Sequence, residues 1–304
     1  MEASREHREG VGNIRIAFFL NLGFTLAEIV GGFLTNSLAI LSDAIHDLGD
    51  SLTLGLSWYL ERRSRQAGSE RFSYGLGRLS LLAALVSGVT IIVGSLFVLS
   101  EAVPRLLRPV HSNAGGMIVF ALIGIAVNGA AALRVRRGKS MTERVISWHF
   151  IEDVLGWVAV LAAGVIIHFR DIHVVDPALA ILIVLYVLSN VIRNLKKTFA
   201  MFLQSIPEDV DLERVREALT RLPHVREIHD THIWTLDGAA HVFTTHLVAD
   251  EGISKTEEER IKAAARGLLL EYGIVHSTIE VEPYGQECEP NELHKRLERS
   301  PAKH

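Results

Sequence analysis

The sequence predicts a membrane α-helical bundle of six transmembrane helices, followed by a small cytoplasmic α+β domain of ferredoxin-like type. Two observations support this prediction. Up to about residue 195 the chain consists of long apolar runs, and beyond it the composition becomes that of an ordinary charged soluble domain. A length of 304 residues also suits two domains. We expect the boundary near Lys196-Lys197, where the composition changes.

Six apolar runs meet or approach the roughly 20 residues needed to cross the hydrocarbon core of a bilayer. The first two are separated only by Thr35-Asn36-Ser37, which predicts a tight antiparallel hairpin. The second contains four ionisable residues, which a hydropathy count penalises. Its flanks, 38–41 and 52–60, are strongly apolar, so we expect it to span as well. The predicted spans, all within a transmembrane domain of residues 1–200, lie near residues 14–34, 38–60, 79–100, 115–134, 146–168 and 177–194.

Basic residues predict which side of the membrane each connection faces. The connections after the second and fourth runs are rich in arginine, whereas the three opposite connections hold only Arg105, Arg108 and Arg170. Basic loops tend to stay in the cytoplasm. Both termini and the soluble domain are therefore expected on the cytoplasmic side.

The soluble domain, residues 206–285, shows the element order α-β-β-α-β. Asp211 is placed to cap its first helix, and Asp237-Gly238 is a strong hairpin signal between the first two strands. This order predicts a small sheet with helices on one face, a ferredoxin-like arrangement. The polar residues 286–304 are expected to form a flexible tail. The predicted strands lie near 226–235, 240–249 and 278–282, and the second helix lies near 254–271.

Composition excludes several other classes of protein. A single cysteine, Cys288, rules out an intramolecular disulfide and a cysteine-rich zinc site. The basic residues cluster beside membrane segments, which does not indicate nucleic-acid binding. The N-terminus is too charged for a signal peptide, and the first apolar run is long enough to remain in the bilayer.

The most informative pattern is a histidine and an aspartate four residues apart, repeated in two predicted spans. His46 and Asp50 lie in the second span, and His149 and Asp153 lie in the fifth. Residues four apart share one helix face, and ionisable groups at membrane depth usually line a path for ions or protons. Two imidazoles and two carboxylates form a mixed tetrahedral set that suits a zinc-type cation.

A hydrogen-bonded pair that only ties helices together is the alternative interpretation. Insertion into the membrane costs roughly 2.5–3.5 kcal/mol for each charged side chain, and together with the repeated spacing this cost favours a metal site. Polar neighbours off the ligand faces are expected to line the cavity or to support the ligands. These are Asp43, Asp47, Glu152 and Asn128, with interhelical hydrogen bonds as the simpler role for Asn128, and also for Glu28 and Asn21.

Several motifs resemble the cation diffusion facilitator family, of the prokaryotic zinc-transporter type, over almost the whole chain. The stretch 37–50, with its His46-Asp47-Leu48-Gly49-Asp50 ending, is similar to the second transmembrane helix of that family, and 149–153 is similar to the fifth. Further similar stretches are Ser73-Tyr74-Gly75-Leu76-Gly77-Arg78, Asp176-Pro177, His229-Asp230-Thr231-His232-Ile233-Trp234 and 276–282.

The resemblance implies a homodimer that exports a divalent metal in exchange for protons. By position, His46, Asp50, His149 and Asp153 would be the transport-site ligands, a set that resembles the zinc and cadmium branch. The connection 69–76 lacks histidine, so a second metal site found there in some members is predicted to be missing. The connection 134–144 also lacks a histidine-rich loop, which favours a plasma (inner) membrane exporter of prokaryotic type.

The soluble domain contains a second group of candidate metal ligands. Similar family members bind regulatory metal at positions matching His229, His246 and the acidic end of the last strand, which here contains His276, Glu280 and Glu282. The alternative is that exposed histidines and glutamates only solvate a sheet face. His232 and His241 remain unassigned.

The function predicted from these patterns is Zn2+ export by proton antiport through alternating access, with Cd2+ and Co2+ as further candidate substrates. The chain is not expected to be an enzyme. Its expected partners are a second copy of itself, divalent metal ions, protons and membrane lipid, with no nucleic acid. A divalent-metal channel and a membrane-anchored metal sensor are the alternatives, and the intramembrane ligands speak against the sensor.

Overall fold

The computed structural model describes residues 2–64, 70–135 and 141–285, with side chains described in 18–53, 55–56, 59, 70–133 and 150–285. The predicted tail, 286–304, lies outside the described residues. The chain divides into two compact units, Met1–Phe199 and Ala200–His304.

The first unit is built from long helices. Five of the described helices contain stretches long and apolar enough to cross a membrane. They confirm the predicted membrane α-helical bundle. The helices of this unit are α1 (Glu2–Thr35), α2 (Leu38–Ser64), α3 (Leu79–Leu107), α4 (Ala114–Val135), α5 (Met141–Arg170) and α6 (Val175–Phe202).

Helix α2 is the sixth long helix, and it carries the ionisable residues that lower its hydropathy. Its 27 residues correspond to about 40 Å of helix, enough to cross a bilayer. It packs against α1, α3 and α5. Its polar groups therefore have protein neighbours, as expected for ionisable residues within a membrane bundle.

The N-terminus of α2 is capped by a residue of α6. Asn36 adopts φ 53° in the tight turn, a left-handed conformation that asparagine tolerates. The Ser37 hydroxyl accepts a hydrogen bond from the Ile40 amide (3.3 Å) and donates one to the Asp176 carboxylate (2.6 Å). That carboxylate also accepts from the amides of Leu38 (2.8 Å) and Ala39 (3.2 Å). A fully buried carboxylate thus satisfies the first amides of α2.

The core of the first unit contains side chains from α2 to α6. Trp157 of α5 is fully buried there, with Ile40, Val98 and Met117 in the same cluster. A Cβ at Gly124 of α4 would lie 2.2 Å from the Trp157 ring, so only glycine allows this approach of α4 to α5. This packing fixes α5, the helix that contains Asp153.

The second unit has the predicted element order and confirms the α+β class. Its elements are α7 (Leu212–Thr220), β1 (Val225–Thr235), β2 (His241–Ala249), α8 (Lys255–Glu271) and β3 (His276–Pro283). The sheet order is β1-β2-β3, with β1 and β2 antiparallel and β2 and β3 parallel. Asp211 caps α7 as predicted, by accepting from the Arg214 amide, and Ser254 and Glu257 form a capping box on α8.

Both helices of this unit pack on the same face of the sheet. Leu219 of α7 and Leu269 of α8 are fully buried against Phe243 and Leu247 of β2. Because side chains alternate along a strand, His246 belongs to the opposite face, which the two helices leave uncovered.

Candidate metal sites

Helix α2 places His46 and Asp50 on one face, as the spacing predicted. The His46 Nε2 and Asp50 Oδ2 atoms lie 3.8 Å apart. The two side chains are 30% and 28% exposed, which makes them partly accessible within the bundle. This pair supplies one nitrogen and one carboxylate oxygen to the same space.

The second pair lies on α5, which contacts α2. Asp153 is half-buried, whereas the His149 side chain lies outside the described residues. A Cβ at Gly156, one turn beyond Asp153, would lie 3.7 Å from the Asp43 carboxylate of α2. Convergence of the full quartet stays a prediction, supported by this contact between the two helices.

Glu28 of α1 is a residue whose position the sequence did not reveal. Its side chain is fully buried, and its carboxyl group interacts with the carboxyl groups of Asp47, Asp43 and Asp153. The sequence assigned it only an interhelical hydrogen bond. In the structure it joins a group of acidic side chains from α1, α2 and α5, so α1 also contributes to the polar interior of the bundle.

The four polar residues that were expected to line the cavity or support the ligands differ from one another in burial and in hydrogen bonding. Asp43 and Asp47 are buried, whereas Glu152 is exposed and lies 3.5 Å from the Tyr186 hydroxyl. Asn128 is buried and donates to the Gly124 carbonyl of its own helix rather than to another helix.

Asn21 of α1 forms the interhelical hydrogen bonds expected of it. Its amide donates to the Asp47 carbonyl and to the Ser51 hydroxyl of α2, each at 3.0 Å. These bonds hold α1 against the polar segment of α2.

Strand register assembles a second group in the soluble domain. His229 of β1 pairs with His246 of β2, and His246 pairs in turn with Glu280 of β3. His229, His246 and Glu282 each offer one ligand atom within 4.8 Å of the others. Two imidazole nitrogens and a carboxylate oxygen form a donor set that suits zinc.

Hydrogen bonding in this group is compatible with metal ligation. The Glu282 carboxylate lies 2.6 Å from His246 Nδ1, and its other oxygen lies 3.3 Å from His229 Nε2. This His229 nitrogen is buried and forms no hydrogen bond of good geometry with the described residues. His246 Nδ1 and His229 Nε2 thus both face Glu282, whereas the Nε2 atom of His246 lies on the other side of its ring. Glu280 lies 3.6 Å from that nitrogen.

A β-bulge adds Asp230, which the sequence did not assign. The register of β1 shifts between His229 and His232, and Asp230 adopts φ 48° within the shift. Its carboxylate reaches His246 Nε2 (3.7 Å) and His232 Nε2 (2.9 Å). Bulges re-aim side chains next to functional sites. Asp230 belongs to the stretch 229–234 that resembles the family, but only the irregular register brings it to His246.

His276 does not join this group in the structure. It pairs with Val242, four residues along β2 from His246, which corresponds to about 13 Å of strand. Its assignment as a ligand beside Glu280 and Glu282 is therefore not supported by the strand register.

His241, which the sequence left unassigned, has a structural partner. It is buried, and its Nε2 donates to the Asp209 carboxylate at 3.1 Å. That hydrogen bond lowers the pKa of the Asp209 carboxyl group.

A membrane bundle with an acidic interior, joined to a soluble domain that carries a histidine–carboxylate cluster, defines a metal-handling membrane protein. Residues 14–203 match the cation efflux transmembrane domain, and residues 207–284 match the cation efflux protein cytoplasmic domain. The chain belongs to the cation diffusion facilitator family, of the zinc-transporter type. It is an integral membrane protein and a metal efflux transporter.

Curated relatives resemble the chain over nearly its whole length. The metal cation efflux system protein CzcD of Cupriavidus metallidurans is 32% identical over 99% of this chain and 96% of its own. The zinc transporter ZitB of Escherichia coli is 31% identical over 91% of this chain and 90% of its own. A cadmium, cobalt and zinc/H(+)-K(+) antiporter of Bacillus subtilis is 30% identical over 91% of both chains.

Proposed function

We propose that this protein exports Zn2+ from the cytoplasm in exchange for protons, with Cd2+ and Co2+ as further substrates. The observation that carries the proposal is the His46–Asp50 pair on α2, which packs against the helix that contains Asp153. Two of the relatives are a zinc transporter and a cadmium, cobalt and zinc/H(+)-K(+) antiporter, and these activities support the proposed substrate class.

The proposed coupling rests on competition between metal and protons for the same ligands. Neutral imidazole and ionised carboxylates bind metal, and their protonated forms do not. A site formed by His46, Asp50, His149 and Asp153 and open to the cytoplasm would load Zn2+. Once it opens to the other side, a high proton activity would displace the ion, and protons would return with the empty carrier.

The assembly we propose is a homodimer in the plasma membrane, with both termini in the cytoplasm. The distribution of basic residues supports this orientation. The proposed orientation also places His229, His246 and Glu282 on the side from which metal is loaded, where a bound Zn2+ would regulate transport. The match of residues 207–284 to a cytoplasmic domain is consistent with it.

Metal flux in vesicles tests the exchange directly. Purified full-length protein in sealed vesicles is expected to transport Zn2+ when a pH gradient is imposed. The Zn2+ flux should fall strongly when an ionophore collapses that gradient. Each transported Zn2+ should be accompanied by proton movement in the opposite direction, which a pH-sensitive dye inside the vesicles reports. Zn2+ flux that is independent of the pH gradient and is not accompanied by proton movement would identify a channel instead. A protein that binds Zn2+ without any flux would identify a membrane-anchored sensor.

Exchange of His46 for aspartate is expected to change selectivity. The substitution turns a set of two nitrogens and two oxygens into one nitrogen and three oxygens, and oxygen-rich sites tolerate harder ions and more ligands. We expect relaxed discrimination in His46→Asp, with Cd2+ transport changing most relative to Zn2+. Initial rates for both ions in the same vesicles measure the ratio.

The exposed residue His168, near the end of α5, offers a matched control for this substitution. His168→Asp introduces the same charge change away from the predicted ligands and should leave the Zn2+/Cd2+ ratio unchanged. An unchanged ratio in His46→Asp as well would count against His46 as a ligand.

A further inference from the structure

A third group of metal-ligating side chains lies at the membrane face where α3 and α5 end and α4 and α6 begin. His111 lies between α3 and α4, and Asp171 and His173 lie between α5 and α6. Each of the three offers one ligand atom within 4.8 Å of the others. We call these three residues the loop cluster.

The loop cluster is separate from the transport pair. It shares its membrane face with the N-terminus of α2, and His46 lies eight residues further along that helix, about 12 Å away along the axis. Since α6 crosses the bilayer from this face before the chain enters the second unit, the cluster lies on the face opposite to that connection. Neither the family resemblance nor the transport-site ligands account for it.

Local contacts fix the positions of its side chains. The His173 side chain is only 13% exposed, and its Nε2 lies 3.0 Å from the Asp171 carboxylate. The rings of His111 and His173 lie 4.2 Å apart between centroids. Arg105, a cation close to this face, is held by Asn36 (3.0 Å) and Glu101 (3.8 Å). Two imidazoles and a carboxylate are thus already close together at the protein surface.

The cluster is also tied to the cap of α2. The Ser112 amide donates to His173 Nδ1 at 3.2 Å, while the Ser112 hydroxyl lies 3.5 Å from the Asp176 carboxylate and 3.4 Å from the Asn36 carbonyl. Because Nδ1 accepts this bond, the ring proton of neutral His173 resides on Nε2 and is donated to Asp171. The hydrogen bond therefore holds His173 in the tautomer that masks Nε2.

We propose that the loop cluster is a binding site for a divalent transition cation such as Zn2+, with His111, His173 and Asp171 as its protein ligands. Two nitrogens and one carboxylate oxygen suit zinc, and the exposed position leaves room for a water as fourth ligand. Ligation through His173 Nε2 moves the ring proton to Nδ1, so the imidazole stays neutral and the Ser112 amide loses its acceptor. Metal binding would thereby release the 108–113 connection from His173, beside the residues that cap α2.

Equilibrium dialysis of the purified full-length protein against Zn2+ tests the site. The double variant His111→Ala/His173→Ala is expected to bind one Zn2+ fewer per chain than the wild type. His168→Ala, which removes an exposed histidine at the same end of α5, should bind as the wild type does. Equal stoichiometry and affinity in all three proteins would overturn the proposal.

A milder variant separates ligand loss from misfolding. Asp171 is 87% exposed, so Asp171→Asn should leave the fold intact. It should weaken one class of Zn2+ sites by at least about tenfold, since even the loss of a carboxylate that only orients a ligating histidine costs about 10–100-fold in affinity. An unaltered binding curve would show that the cluster is only a hydrogen-bonded loop contact. This binding measurement does not depend on transport. The loop-cluster proposal can therefore be contradicted even if the vesicle experiment confirms Zn2+/proton exchange.

Discussion

Replacement of Asp50 or Asp153 by alanine is expected to abolish Zn2+ transport while leaving the protein folded. Each substitution removes a charged ligand from the proposed quartet. Loss of a partner outside the ligand set alone costs about 10–100-fold in metal affinity, so loss of a ligand should exceed that. Stability should not suffer, because the substitution removes an ionisable group that is costly at membrane depth. Initial rates of Zn2+ uptake into vesicles, at matched protein levels, measure the effect.

Glu101 provides the control for loss of a carboxylate within the same unit. It is exposed on α3 and pairs with Arg105 at 3.8 Å, away from the predicted ligands. Glu101→Ala should retain transport close to the wild-type rate, and size-exclusion profiles of all three variants should agree. Near wild-type transport in Asp50→Ala or in Asp153→Ala would contradict the ligand assignment for that residue.

Zn2+ is expected to raise the melting temperature of the isolated fragment 206–285. Among the described residues, the apolar core of the second unit lies within 210–281, so the fragment contains all the side chains of that core. A ligand that binds only the folded form, at about 100-fold above its Kd, adds roughly 2.7 kcal/mol to the free energy of unfolding. For a domain of this size that corresponds to a rise on the order of 10–20 °C. Thermal melts with Zn2+ and with chelator measure it.

Two variants assign this rise to particular histidines. His229→Ala/His246→Ala should lose it while keeping the metal-free melting temperature, because both side chains are partly exposed and lie outside the apolar core. His276→Ala should keep the rise in melting temperature, since the strand register separates His276 from the group formed by His229, His246 and Glu282. In the full-length protein the double variant should weaken transport more at low Zn2+ than at high Zn2+. Identical melting with Zn2+ and with chelator would show that these histidines only solvate the sheet.

Local sequence patterns were sufficient to predict the helices and strands, because each of these elements depends on local chemistry. Apolar runs predict the helices of the membrane unit, and the apolar flanks of α2 compensate in that prediction for its ionisable residues. The His46–Asp50 contact follows from helix geometry alone. Asp237-Gly238 predicted the turn between β1 and β2, and Asp211 the cap of α7.

The remaining site residues depend on tertiary contacts that local patterns do not encode. In the sequence, Glu28 is a polar residue within an apolar run. Only the packing of α1 against α2 brings it close to Asp43 and Asp47. Asp230 reaches His246 through a bulge, and bulges break the alternation from which strand faces are predicted. His276 sits in a motif with Glu280, but the parallel pairing with β2 sets its distance from His246.

The cap that Asp176 places on α2 constrains how that helix can move. With the amides of Leu38 and Ala39 and the Ser37 hydroxyl all bound to one carboxylate of α6, α2 cannot slide along its axis without breaking three hydrogen bonds. A lever-like swing about that end would preserve all three bonds. A swing of about 10° would displace His46, about 12 Å from the pivot, by only about 2 Å, but the far end of the helix, about 40 Å away, by about 7 Å. The ligands would thus stay nearly in place while the distant mouth of the bundle opens and closes.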